Sequence, residues 1–160
     1  MNYSTEVSVK TCSTCKKQKP RLGFHKNHTK PDGYNHLCRD CMKIVSKRWR
    51  DAPQGRAKAL WTSARNRADK NGHAFDLTPE WIEERLLAGT CEATGIPLEL
   101  TGETLKHFRP WTPSLDRTDC HKGYTKDNVR VVCWMYNQAK GVSSHADVIK
   151  MAKAIIANDN

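Results

Sequence analysis

Two Cys-x2-Cys pairs, Cys12/Cys15 and Cys38/Cys41, separated by 22 residues, stand near the amino end of a 160-residue chain. Two such knuckles can set four thiolates tetrahedrally around Zn²⁺ and fill every coordination position, which makes a structural site rather than a catalytic one. A segment of about forty residues buries too little apolar surface to fold unaided, so the metal would supply much of its stability. The spacing predicts a zinc ribbon or knuckle over 8–48, with Phe24 as its small apolar cap and Gly33-Tyr34 turning a hairpin. His25, His28 and His36 lie inside the loop, but four cysteines already complete the ligand set. Cys91, Cys120 and Cys133 are scattered and read as buried thiols, not as a second zinc site.

Thiols used in this way fit a reducing compartment. No apolar run is long enough to span a bilayer, and the first ten residues lack the basic-then-apolar order of a signal peptide, so the expectation is a soluble intracellular protein. The net charge of +10 is unevenly placed. Residues 1–72 carry 17 Lys and Arg against 5 Asp and Glu, whereas 73–160 carry 10 against 12. A basic half of this kind faces a polyanion, which makes nucleic acid the leading partner, bound through phosphates in a salt-sensitive way. DNA is the first choice. RNA stays open, although few aromatic residues sit in the basic segment to stack on single strands.

The basic segment reads as a helical connector over 49–90, broken at Pro53. Ala57, Leu60, Trp61 and Ala64 recur at helical spacing, and Arg48, Arg50, Arg56, Lys58, Arg65 and Arg67 are the candidate phosphate contacts. Phe75-Asp76-Leu77 is expected as a short strand, followed by a helix over 79–88 with Thr78 as N-cap. Near the carboxyl end Ser143-Ser144 can cap a last helix. Its Val148, Met151, Ala152 and Ile155 share one face and are expected to dock on the preceding unit, with His145 on the surface of the first turn.

Between these lies 113–141, PSLDRTDCHKGYTKDNVRVVCWMYNQAKG, which reads as strand, loop, strand, helix. Leu115 beside Asp116 and the β-branched run from Val129 mark the strands, and Gly123, Asp127 and Asn128 supply turn chemistry between them. About two helical turns follow from Trp134, closed by Gly141.

Asp116-Arg117, Asn128 and Asn137, in that order and with eight residues between the two asparagines, resemble the HNH or ββα-metal (His-Me finger) nucleases over about a fifth of the chain. The string SLDR…GYT, DNVR, VC, N, AK behind a zinc module resembles the phage-associated HNH-like proteins in particular. The resemblance implies a C-terminal ββα-metal domain over 91–160 and a divalent ion, Mg²⁺ or Mn²⁺, on Asp116 and the side-chain carbonyl of Asn137. It implies that Asn128 positions the loop. Where the family places a general-base histidine this chain has Arg117, which is too basic to accept a proton from water but can clamp a phosphate. His121 is the first candidate for the base, with Asp119 and the more distant His107 behind it.

The expectation is therefore an α+β protein: zinc module, basic helical connector, ββα-metal domain. Its first functional reading is a metal-dependent DNA endonuclease that hydrolyses phosphodiester bonds. The second is a non-catalytic zinc-dependent DNA-binding or adaptor protein on a degenerate HNH fold, which Arg117 favours.

Overall fold

The computed structural model describes residues 8–100 and 109–159, so His107 and most of the loop around it lie outside the described residues. The described residues form five α-helices and three two-stranded antiparallel sheets. The chain divides into two compact units, Met1–Trp49 and Arg50–Asn160. No helix among the described residues is long and apolar enough to cross a membrane.

In the first unit β1 (Val9–Thr11) pairs with β2 (Gln18–Pro20), and the first cysteine pair occupies the turn between them. That turn closes through Lys16 at φ 58°, a left-handed conformation that a non-glycine residue adopts only when its surroundings hold it. β3 (Phe24–Lys26) and β4 (Tyr34–Cys38) form a second hairpin, turned by Gly33 at φ 73°. β4 runs directly into α1 (Arg39–Asp51), so the second cysteine pair straddles a strand end and a helix start. The core of this unit is Cys12, Phe24, Leu37, Cys38 and Cys41, with the thiols making up most of it. Ion pairs from Lys10 to Asp32 and from Lys19 to Asp40 tie the hairpins to their neighbours.

The second unit opens with α2 (Pro53–Asn71), which has proline in its first turn and ends on Gly72 at φ 64°. α3 (Pro79–Leu87) follows, its first turn held by the Thr78 hydroxyl, which accepts the Trp81 N–H at 3.2 Å. β5 (Pro113–Arg117) and β6 (Val129–Cys133) pair so that Leu115 faces Val131 and Asp116 faces Arg130. Val129 and Val131 lie on one side of the hairpin. There they pack with Ala57, Ala64 and Ala68 of α2 and Ile82 and Leu86 of α3. Small residues along α2 let its backbone lie close, so helix and hairpin share one core. Val132 and Cys133 join Cys91 and Tyr136 in a second cluster, as the period-2 alternation of a strand requires for Val132. α4 (Trp134–Lys140) continues straight from β6, and α5 (His145–Asn158) starts at a capping box of Ser144 and Asp147.

Three expectations are corrected. Phe75 makes a single bridge to Tyr124 and no strand, because Tyr124 lies in a turn-rich loop that offers no extended partner. α5 has no buried residue. Val148 packs against the Cys91–Tyr136 cluster, while Met151 and Ile155 remain 45% and 60% exposed, so the helix docks through its first turn alone. His145, placed on the surface by sequence, is half-buried and hydrogen-bonded to Tyr136 at 2.8 Å.

The long loop between β5 and β6 is stitched to the segment after α2. Tyr124 N–H donates to the Ala74 carbonyl at 2.8 Å, and Asp76 N–H donates back to the Tyr124 carbonyl at 3.3 Å. Gly123 permits this approach, since a Cβ there would lie 2.2 Å from the Ala74 oxygen. Gly123→Ala is therefore expected to destabilise the unit by about 2 kcal/mol or more, read as a lowered thermal midpoint of the full chain. An unchanged midpoint would show that the loop can part from Ala74 at no cost.

Candidate functional site

The four cysteine sulfurs lie within 4.8 Å of one another, and Cys15 Sγ is 4.0 Å from Cys38 Sγ. Sulfurs about 2.3 Å from a common zinc stand slightly under 4 Å apart in a tetrahedron, so the cluster fits Zn²⁺. The backbone is already arranged for thiolates. The Cys38 N–H donates to Cys12 Sγ at 3.3 Å, and together with the Cys15 N–H it lowers the Cys12 thiol from 9.0 to about 6. Backbone donors from Cys41 lower Cys38 as well. Burial and the neighbouring sulfurs push Cys41 up to about 12, which is the response of a fourth thiol crowded by three others before a cation joins them. His25 and His28 are exposed, and His36 is also outside the cluster.

The second site lies at the open end of the β5–β6 hairpin. A cleft of about 150 Å³ is lined there by Asp116, Arg117, Asn137, Cys120, Tyr124 and Arg67, among others. Asp116 is 2% exposed. Its Oδ1 meets Lys140 Nζ at 3.1 Å and its Oδ2 meets Arg130 Nη2 at 3.1 Å. Lys140 also donates to the Arg117 carbonyl at 2.9 Å. One carboxylate thus joins both strands and the helix, with two cations to satisfy its buried charge.

Asn137 lies on α4 and donates Nδ2 to Ser114 Oγ at 2.7 Å and to the Leu115 carbonyl at 3.2 Å. A carbonyl can only accept, so the amide nitrogen must face Leu115 and the side-chain oxygen is turned the other way. No donor reaches that oxygen among the described residues. Asn128 works inside the loop. Its Oδ1 accepts the Asp119 N–H at 2.9 Å, and its Nδ2 donates to the carbonyls of Asp119 and Gly123 at 3.0 and 2.9 Å. It spans the loop from one side to the other and does not line the cleft.

Arg117 reaches across the loop, donating to the Lys122 carbonyl at 2.8 Å with its guanidinium 4.9 Å from the Tyr124 ring centre. Arg67, on α2, lies 5.6 Å from the same ring. Two guanidinium groups are thus held over one aromatic side chain at the mouth of the cleft. His121 is exposed, its N–H held by Asp119 Oδ1 at 3.0 Å, and its ring is not part of the cleft lining.

The remaining basic candidates divide by environment. Lys58 and Arg65 are exposed on α2, over the rings of Trp61 at 4.2 Å and Phe75 at 5.2 Å, and Arg65 also pairs with Asp69. Arg56 is half-buried and donates to the Leu100 carbonyl at 3.3 Å, which ties it to the scaffold. Arg48 and Arg50 are exposed at the end of α1.

Spacing arguments overlooked the partners of Asp116. Arg130 donates to the Tyr136 hydroxyl at 3.0 Å, and that hydroxyl lies 2.8 Å from His145 Nδ1. Burial, outweighing the pull of Arg130, raises the Tyr136 phenol. The one signal for Arg130 in the sequence is its charge in the middle of a β-branched strand; for Tyr136 and His145 there is none.

No family model matches the chain, and no curated protein does. Among solved structures, the rare-cutting HNH restriction endonuclease PacI is similar at 20% identity, over 91% of this chain and 92% of that one, with a TM-score of 0.45.

The thiol shifts give the zinc cluster a direction in pH. A thiol lowered in the folded unit contributes stability that is full above its ordinary value of 9.0 and is lost as pH falls through about 6. Bound zinc competes with protons for these thiolates, so acidification below about pH 6 is expected to release zinc to a chromogenic chelator and to loosen the first unit together. In Cys12→Ser that release should already be complete at neutral pH, and retained zinc would count against the four-cysteine cluster.

Proposed function

We propose that the protein is a metal-dependent DNA endonuclease of the ββα-metal type, hydrolysing phosphodiester bonds at the cleft beside β5. The observation that carries this reading is the meeting of Asp116, Asn137, Arg117 and Arg67 on one cleft. A carboxylate and an unpaired amide oxygen are hard donors suited to Mg²⁺ or Mn²⁺, and two guanidinium groups are suited to a phosphodiester. When bound, the divalent ion would polarise a phosphate oxygen as a Lewis acid. Arg117 and Arg67 would hold the phosphate at the mouth of the cleft and offset its charge. Asn128 would keep the 118–128 loop in the shape that presents Arg117. His121, on that loop, is the proposed base, reaching the water from outside the cleft wall. Lys58, Arg65, Arg48 and Arg50 would extend the phosphate contacts along the duplex.

A second reading has its own observation. The Asp116 carboxylate is satisfied by Lys140 and Arg130, and the position of a family base is filled by Arg117. A cleft so arranged suits a DNA-binding or adaptor protein that holds phosphate without cutting it.

Supercoiled-plasmid cleavage with Mg²⁺ or Mn²⁺, against EDTA, separates the two. The nuclease reading expects metal-dependent nicking that falls by about a hundredfold or more in Asn137→Ala, with DNA affinity and zinc content kept. Salt-sensitive DNA binding without cleavage, across metals and pH, would establish the second reading instead.

A further inference from the structure

Lys140 has no role in the nuclease reading, yet its side chain is only 1% exposed and lies against the acidic group that the reading uses. Its ammonium contacts two oxygens, Asp116 Oδ1 at 3.1 Å and the Arg117 carbonyl at 2.9 Å. That is an oxygen environment of the kind a small cation takes. Lys140 and Asn137 are three residues apart on α4, so both project from one face toward the end of the hairpin.

Charge decides what this arrangement permits. Asp116 with Lys140 and Arg130 carries a net positive charge, and Arg117 and Arg67 add to it at the mouth of the cleft. A divalent cation approaching that group meets repulsion, strengthened by the low dielectric around a carboxylate that is 2% exposed. Phosphate meets the opposite field. Each cation on Asp116 has one further oxygen partner, the Tyr136 hydroxyl at 3.0 Å for Arg130 and the Arg117 carbonyl at 2.9 Å for Lys140, but only Lys140 is a compact point charge on a flexible four-carbon stem. Lys140 is the one able to withdraw.

Resting on the nuclease reading, we infer that Lys140 occupies the cation position on Asp116 in the DNA-free protein, and that a divalent ion gains Asp116 only after phosphate has entered the cleft. Lys140 is thus a positioning residue that orders the binding, substrate before metal. Its ammonium keeps Asp116 satisfied until the negative charge of the backbone arrives.

Mn²⁺ titration of the zinc-loaded full chain, followed by loss of the free-ion electron paramagnetic resonance signal, tests this without reading activity. Wild type should bind Mn²⁺ weakly alone and more tightly with an uncleavable phosphorothioate duplex, after subtraction of ions held by the duplex itself. Lys140→Met should tighten DNA-free Mn²⁺ binding by about tenfold or more, and adding Asp116→Asn should abolish the gain. Lys140→Gln removes the charge while keeping a donor for the Arg117 carbonyl, and serves if the methionine variant does not fold. A folded Lys140 variant with wild-type Mn²⁺ affinity, alongside duplex-dependent binding in wild type, would overturn the inference and leave the nuclease reading standing. Absence of Mn²⁺ binding in every form, with and without duplex, would remove both.

Discussion

A single buried carboxylate organises the second unit. Asp116 is in β5, Arg130 in β6 and Lys140 in α4, and the three meet at 3.1 Å on each side. Burying a carboxylate to 2% exposure is costly without such partners, and removing either cation would leave its charge uncompensated. The pairing also sets geometry. The register that places Asp116 opposite Arg130 places Leu115 opposite Val131, and so decides which side chains enter the core. Lys140 then holds the far end of α4 against the Arg117 carbonyl at 2.9 Å.

Around that point the apolar material is modest and carefully divided. One side of the hairpin is covered by the alanine stripe of α2 and by Ile82 and Leu86 of α3. The other side is closed by Cys91, Tyr136 and the first turn of α5. The 118–128 loop has little apolar content of its own, so hydrogen bonds shape it. Asn128 spans it internally, and Gly123 lets Tyr124 and Asp76 exchange backbone bonds with their neighbours. This gives a loop that carries His121 and holds Arg117, at the end of β5, through the Lys122 carbonyl.

The first unit solves the same shortage of core differently. Its strands are three to five residues long, and three of the five buried residues of its core are cysteines. Lowered Cys12 and Cys38 thiols beside a raised Cys41 describe a cluster whose charges are balanced only when a cation joins them. A zinc ion taken up by that cluster would couple metal binding to folding there.

Much of this was legible in the residues. Cysteine spacing marked the cluster, Pro53 and Thr78 marked helix starts, and the β-branched run Val129–Val132 marked a strand, because each is a short-range rule. The pairing of Asp116 with Lys140 was not legible, since 23 residues and a loop separate them and neither residue type announces its partner. Arg67 was read as one more charge on a helix, and only packing of α2 on the hairpin brings it over Tyr124 beside Arg117. His145 was read as solvated because capping rules describe the helix start and say nothing of the phenol that folds beneath it. By itself, then, the sequence determined the local elements, the spacing of the four cysteines and the basic charge of residues 1–72. Tertiary structure alone decided which charges neutralise one another, because burial and distance, unlike propensity, belong to no single segment.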